Sequence, residues 1–294
     1  MQSQPQVTPF HHEDSGTWSY VVSDPAGNAA VIIDPVLDFD PKSGTTGTQS
    51  AAKLLEHVSG QGLDVSWILE THAHADHLSA ADWLLGLLPS AQLGIGEGIR
   101  TVQKVFRGVF NLGERFAVDG SQFGRLFADG DTFGIGALTG RVIALPGHTS
   151  DSIGYLIGDA VFVGDSVFMP DAGTARCDFP GGDAATLYRS TRERLFALPD
   201  ETRVFVCHDY APGGRAKACE TSVGEQKRAN IHVRDGVFEK DFVRMRPTRH
   251  ATLAMTTLNL PSVQVNIRGG RLPDPEDNGV HYLKLPVNQF RKTP

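Results

Sequence analysis

Residues 70–80 read ETHAHADHLSA and follow the apolar run VSWIL at 65–69. His72, His74, Asp76 and His77 therefore fall within six residues, directly behind a segment that reads as a buried strand. Two histidines at i and i+2, then an Asp and a His, cannot all share one face of a regular helix or strand. A tight loop after the strand can converge them on one point. The spacing also differs from HExxH, where two histidines at i and i+4 share a helical face. The stretch is thus a candidate metal site placed at the carboxyl end of a strand.

Working outward, other short apolar runs end in polar clusters: NAAVIIDP at 28–35, GRVIALPGHTSDS at 140–152, AVFVGDS at 160–166 and TRVFVCHDY at 202–210. Each reads as a buried strand followed by a loop. Helical patterns lie between them at 48–61, at 79–88 before Pro89, and at 184–198 before Pro199. Alternating strands and helices predict an α/β layer structure. Three of the later strand ends carry ligand-type side chains: His148, Asp165 and His208. In open α/β sheets sites form at the carboxyl ends of strands, so these loops can meet. One such histidine alone would read as a satisfied polar residue; the four clusters together point to a metal.

The remaining features bound the function. The chain has 294 residues, 40% hydrophobic and 21% charged, with a formal charge of −7, which suits a large globular core and argues against a general nucleic-acid surface. Arg234, Arg244, Arg246 and Arg249 make a local basic patch that could meet a small anion. The start MQSQPQVTPFHHEDSG lacks a basic stretch followed by an apolar one, and no segment has the ~20 apolar residues of a membrane helix, so a cytoplasmic location is expected. Cys177, Cys207 and Cys219 form no CxxC and are expected to be reduced thiols. His11, His12, His57, His232, His250 and His281 are read as surface or structural residues. PGGRA and FPGGD lack the setting of a phosphate loop and are read as turns. No GxSxG occurs. Residues 1–237 are expected to form the catalytic unit and 238–294 a C-terminal extension packed on it, while the role of 94–124 is left open.

The THAHADH, GHTSDS, GDS and CHDY motifs, in this order between residues 28 and 210, resemble the metallo-β-lactamase superfamily. That resemblance implies an αβ/βα four-layer sandwich with the metal at one edge of the two sheets. Within the superfamily, TARCDFPGGDAATLYRST after GDSVF, and then HDY, looks like the persulfide dioxygenases. Such a member would bind one Fe(II) per chain through His72, His148 and Asp165, with His74, Asp76, His77 and His208 behind them. Two imidazoles and one carboxylate form the facial set of non-haem iron oxygenases. The substrates implied are glutathione persulfide and O2, the products sulfite and glutathione, and relatives suggest a homodimer. Arg176 and Tyr210 are the first candidates for substrate contacts, an ion pair of Arg176 with Asp178 or Asp183 being the alternative. Arg244, Arg246 and Arg249 are further candidates, with a solvated face as their alternative. The same superfamily contains glyoxalase II, a two-metal hydrolase of S-lactoylglutathione. Ligand counting leaves that reading open, because all seven side chains of a two-metal site are present.

Overall fold

The structure, a computed structural model, describes residues 4–251, 253 and 255–289; the expected catalytic unit and extension reach past these at 1–3, 252, 254 and 290–294, which lie outside the described residues. In chain order the first elements are β1 (Gln6–His12), β2 (Thr17–Ser23), β3 (Ala29–Ile33), β4 (Val36–Asp40), β5 (Thr45–Gly47), α1 (Gln49–Gly60), β6 (Asp64–Leu69) and β7 (Leu78–Ser79). There follow α2 (Ala81–Leu87), β8 (Gln92–Gly96), α3 (Ile99–Val109), β9 (Arg125–Phe127), β10 (Thr132–Ile135), β11 (Leu138–Ala144), β12 (Ile153–Ile157) and β13 (Ala160–Phe162). The last are α4 (Ala184–Ser190), β14 (Arg203–Phe205), β15 (Glu220–Ser222), α5 (Val223–Ala229), α6 (Glu239–Ala251) and α7 (Asn259–Asn266).

Two six-stranded sheets run β1-β2-β3-β6-β8-β9 and β10-β11-β12-β13-β14-β15. Strands β3, β6, β8 and β9 pair in parallel, as do β13 and β14. Such strands are covered on both faces, which explains why their sequences are continuous apolar runs rather than alternating ones. In β3 and β6, Val31, Ile33 and Leu69 face the second sheet beside Phe162 and Phe205. Ile32 and Ile68 face the other way, onto α1 through Leu54 and Val58. In β13, Phe162 joins the core between the sheets while Val161 packs with Leu187 of α4 and Phe242 of α6. The result is the expected four-layer αβ/βα sandwich. Each such side chain taken from water contributes on the order of 1.5–3 kcal/mol.

Two regions gain an explanation here. Residues 94–124 contain α3, whose Ile99, Val102 and Phe106 extend the first layer together with Phe110, Phe116 and Phe123. Val263 and Val265 of α7, and Ile267 after it, pack in the same cluster. Gln103 of α3 donates to the Ile267 carbonyl at 2.9 Å, and the Arg268 guanidinium lies 4.8 Å from the centre of the Phe116 ring. The 94–124 region therefore forms the floor on which the C-terminal helix rests. No helix among the described residues is long and apolar enough to cross a membrane.

Candidate metal centre

The loops after β3, β6, β11, β13 and β14 meet at one edge of the sandwich. Asp34, directly after β3, takes a left-handed backbone with φ +50°, an uncommon conformation away from glycine. Its carboxylate accepts from the Thr71 amide at 2.8 Å and the Thr71 hydroxyl at 2.9 Å, and it contacts His74 Nε2 at 2.9 Å. One carboxylate thus ties the end of β3 to the first turn of the 70–77 loop. The Tyr155 hydroxyl donates to the Glu70 carbonyl at 2.8 Å, joining that loop to the second sheet.

Across the edge, Gly164 (φ +51°) turns the chain after β13 so that Asp165 points to the same place. His148 follows Gly147 (φ +135°), which packs against Leu187 so closely that a Cβ would collide with the helix backbone. His148 Nδ1 donates to the Arg176 carbonyl at 2.6 Å and His208 Nδ1 to the Gly16 carbonyl at 3.1 Å. Those bonds occupy each Nδ1 and turn each Nε2 toward the cluster, the way protein groups usually orient a metal-binding imidazole. His77 Nδ1 is held by the Thr17 hydroxyl at 3.2 Å, and His72 Nδ1 by the Thr71 hydroxyl at 3.0 Å.

What remains faces inward. His148 Nε2 lies 3.6 Å from Asp165, and His208 Nε2 lies 3.4 Å from Asp165 and 3.2 Å from Asp76. Donor atoms of His72, His148 and Asp165 lie within 4.8 Å of one another, and so do those of His74, Asp76 and His77. His72 Nε2, His74 Nδ1, His77 Nε2, Asp165 Oδ1 and His208 Nε2 are buried and make no hydrogen bond among the described residues. Buried polar atoms are ordinarily satisfied, and five orphans in one place call for an occupant. Imidazole nitrogens and carboxylate oxygens on one point are the donor set of a divalent transition metal, so the residues fit such an ion.

Charge agrees with this. Burial, reinforced by the neighbouring His74 and His148, keeps the His72 ring well below the usual histidine range and therefore neutral. At His208 burial works against the charged ring, but the Asp165 and Asp76 carboxylates outweigh it and raise the ring well above the usual range. At Asp76 burial opposes the carboxylate, yet His208 and His77 pull it well below its usual value. Metal ligands bind deprotonated, so a cation here would displace the protons this cluster otherwise holds.

A cavity of about 380 Å³ opens onto the cluster. Asp76, His148, Asp165 and His208 line it together with Arg176, Tyr210, Arg246 and Arg249, so these four substrate candidates reach the site. Arg244 does not: it is exposed and pairs with Asp241 at 2.8 Å, which agrees with the solvated-face alternative. For Arg246 that alternative is overturned, because its side chain is 1% exposed. It donates to Thr174 Oγ1 at 3.1 Å, to His250 Nε2 at 3.1 Å and to the Ala175 carbonyl. Arg176 takes the ion-pair alternative, holding Asp178 with two bonds of 2.6 and 2.9 Å. Its carbonyl accepts from His148 of the metal cluster. Tyr210 sits at the mouth, its ring centre 5.2 Å from that of Phe168. The Asp of HDY, Asp209, is spent on Arg215 at 2.6 and 2.8 Å and on the amides of Ala211 and Ala218, which shape the loop that presents Tyr210.

Sequence reading missed Asp34, Glu70, Thr71 and Thr17. Asp34 had a signal, since it ends the run AVII before a proline just as Asp165 ends VFVG; the threonines had none.

Comparison with known proteins follows the same geometry. The model of the metallo-beta-lactamase superfamily matches residues 12–208, which enclose all seven ligand-type residues. A probable metallo-hydrolase of Burkholderia pseudomallei is 52% identical over 96% of this chain and 99% of its own. Glyoxylase B2 of Dictyostelium discoideum is 45% identical over 99% and 100%. Human mitochondrial persulfide dioxygenase ETHE1 is 30% identical over 67% of this chain and 65% of its own. Of a longer relative in Agrobacterium fabrum the chain spans 63%. The crystal structure of ETHE1 from Myxococcus xanthus superimposes with a TM-score of 0.72 at 31% identity, covering 90% of this chain and 100% of that one. The strand-end ligands, the sandwich that carries them and these matches agree: the chain belongs to the metallo-β-lactamase superfamily.

Proposed function

We propose that the protein is a one-iron persulfide dioxygenase that converts glutathione persulfide, O2 and water to glutathione and sulfite. The observation that carries this reading is the compact set His72, His148 and Asp165, two imidazoles and one carboxylate beside an open cavity. The likeness to the human and Myxococcus ETHE1 proteins supports it. Iron(II) held by this set supplies the redox chemistry that joins dioxygen to a sulfur, which zinc, with no accessible redox change, does not.

The chain's own residues do the rest. Thr71 and the carbonyl of Arg176 hold the imidazoles of His72 and His148, while His208 lies between the carboxylates of Asp165 and Asp76. Phe168, Phe179, Leu253 and Leu258 give the cavity apolar walls that exclude bulk water from the reacting sulfur. Arg246 brings a buried positive charge to that cavity, bonded to Thr174, His250 and the Ala175 carbonyl rather than directly to a carboxylate, and a buried charge is costly until an anion meets it. A carboxylate of the glutathionyl group, bound by the guanidinium fork, is such an anion.

A second reading has its own support. The orphaned His77 Nε2 and His208 Nε2, with Asp76 and Asp165, are the donors a second metal would take in a thioester hydrolase, and two relatives carry the names metallo-hydrolase and glyoxylase. The two readings separate on substrate. The dioxygenase consumes O2 with glutathione persulfide and leaves S-lactoylglutathione intact. Thioester cleavage without persulfide-dependent O2 uptake would replace the first reading by the second.

A further inference from the structure

The metal-binding loop is held from behind by a residue of the C-terminal helix. Asn266, the last residue of α7, is 4% exposed and gives its whole side chain to the loop's backbone. Its Nδ2 donates to the carbonyls of His74 and His77, each at 2.8 Å, and its Oδ1 accepts from the Ser79 amide at 2.8 Å. A carboxamide offers two N–H donors and one carbonyl, and all three functions are used here. Residues 70–77 lie outside any strand or helix, so these two carbonyls have no ladder partner and rely on the Asn266 amide. Thr256 adds a bond from its hydroxyl to the Ala75 carbonyl at 2.9 Å. The helix end that carries Asn266 is itself fixed to α3 through Gln103.

We infer that Asn266 is a positioning residue: by clamping the His74 and His77 carbonyls it fixes the path of the 70–77 loop that carries His72, His74 and His77, and so governs how tightly the cluster retains its metal. It touches none of the inward-facing donor atoms. An aspartate of the same shape would keep the bond from the Ser79 amide but set a carboxylate oxygen against the two carbonyl oxygens. The inference rests on the cluster being a metal site, and is independent of which reaction the metal serves.

The test is iron release from the loaded, full-length protein into an excess of a colorimetric iron(II) chelator, compared for wild type, Asn266→Ala, Asn266→Asp and Gln264→Ala. Gln264 is the control. It lies two residues earlier in the same helix, is as buried, and bonds to the Leu260 carbonyl and the Lys284 backbone instead of the loop. Both Asn266 variants are expected to release iron about tenfold to 100-fold faster, the usual effect of removing a group that orients a ligand, with Gln264→Ala close to wild type. Wild-type release from both Asn266 variants would overturn the inference, and so would equal acceleration in Gln264→Ala, which would reduce Asn266 to a general stabiliser of α7. If Asn266→Ala does not fold, the isosteric Asp variant decides alone; failure of both to fold would likewise assign Asn266 to the fold. A wild-type protein that retains no iron would instead overturn the metal reading itself.

Discussion

Asp34 shows how one residue can link backbone, packing and chemistry. Its left-handed backbone costs on the order of 1 kcal/mol or more for a residue with a Cβ, and the three contacts it makes to Thr71 and His74 offset that cost. Among the described residues, removing the carboxylate leaves His74 Nε2 with Glu70, 3.4 Å away. Asp34→Ala should therefore weaken metal binding by about ten- to 100-fold, read by chelator competition at equilibrium; an unchanged dissociation constant would show that His74 is oriented without it. Arg246 makes a second case. Arg246→Lys keeps a charge but loses the planar fork, so the KM for glutathione persulfide should rise by roughly tenfold with kcat little changed, the scale of one charge-assisted contact. An unaltered KM would take Arg246 out of the substrate site. At this scale the inward-facing ligands were readable, because His and Asp at strand ends stand out against apolar runs. The groups that hold them were not, because Thr17, Thr71 and Asn266 are ordinary residues until the fold places them.

The elements differ in how plainly their sequences announce them. Strands β3, β6, β13 and β14 are covered on both faces and so read as unbroken apolar runs. Helix α3 carries Ile99, Val102 and Phe106 at helical spacing, yet it lies in a stretch without histidine or any strand-end motif to give it a role. Helix α6 was harder, since Pro247 interrupts it and one of its buried positions is filled by Arg246 rather than by an apolar residue. The helices expected at 48–61 and 79–88 match α1 and α2 within two residues at each end. The third begins as expected with α4 but passes into a single wider π turn at Thr191–Leu195. The contact between α4 and the His148 turn offers a test of packing at this scale. Gly147→Ala adds a Cβ that collides with Leu187, whereas Gly130→Ala, also at positive φ, meets open space. Gly130→Ala should cost only the conformational part, about 1–2 kcal/mol. Gly147→Ala should cost clearly more and lower the iron content with it. Equal shifts in denaturant midpoint would mean that α4 yields, and that the His148 turn does not depend on it.

Across the whole molecule, the two sheets contribute different halves of one site. The first sheet brings Asp34 and the 70–77 loop, the second brings His148, Asp165 and His208, and Tyr20 bonds across the sandwich from β2 to the Val206 carbonyl. The C-terminal region then closes the arrangement, lining the cavity through Arg246, Arg249, Leu253 and Leu258 and clamping the metal loop through Asn266. The four-layer sandwich and the converging ligands were legible because covered strands and strand-end motifs repeat along the chain. The role of the described residues from 238 onward was not, since they reach the site through single contacts made across the fold.

Whether one metal or two serve that site is decided most directly by titrating the metal-free protein with iron(II) and following O2 uptake with glutathione persulfide alongside S-lactoylglutathione cleavage at each step. The account predicts that O2 uptake rises with added iron, breaks at one iron per chain, and that thioester cleavage stays at background throughout. A break at two metals per chain, with thioester cleavage and no persulfide-dependent O2 uptake, would contradict it and place all seven ligand-type residues around a hydrolytic pair.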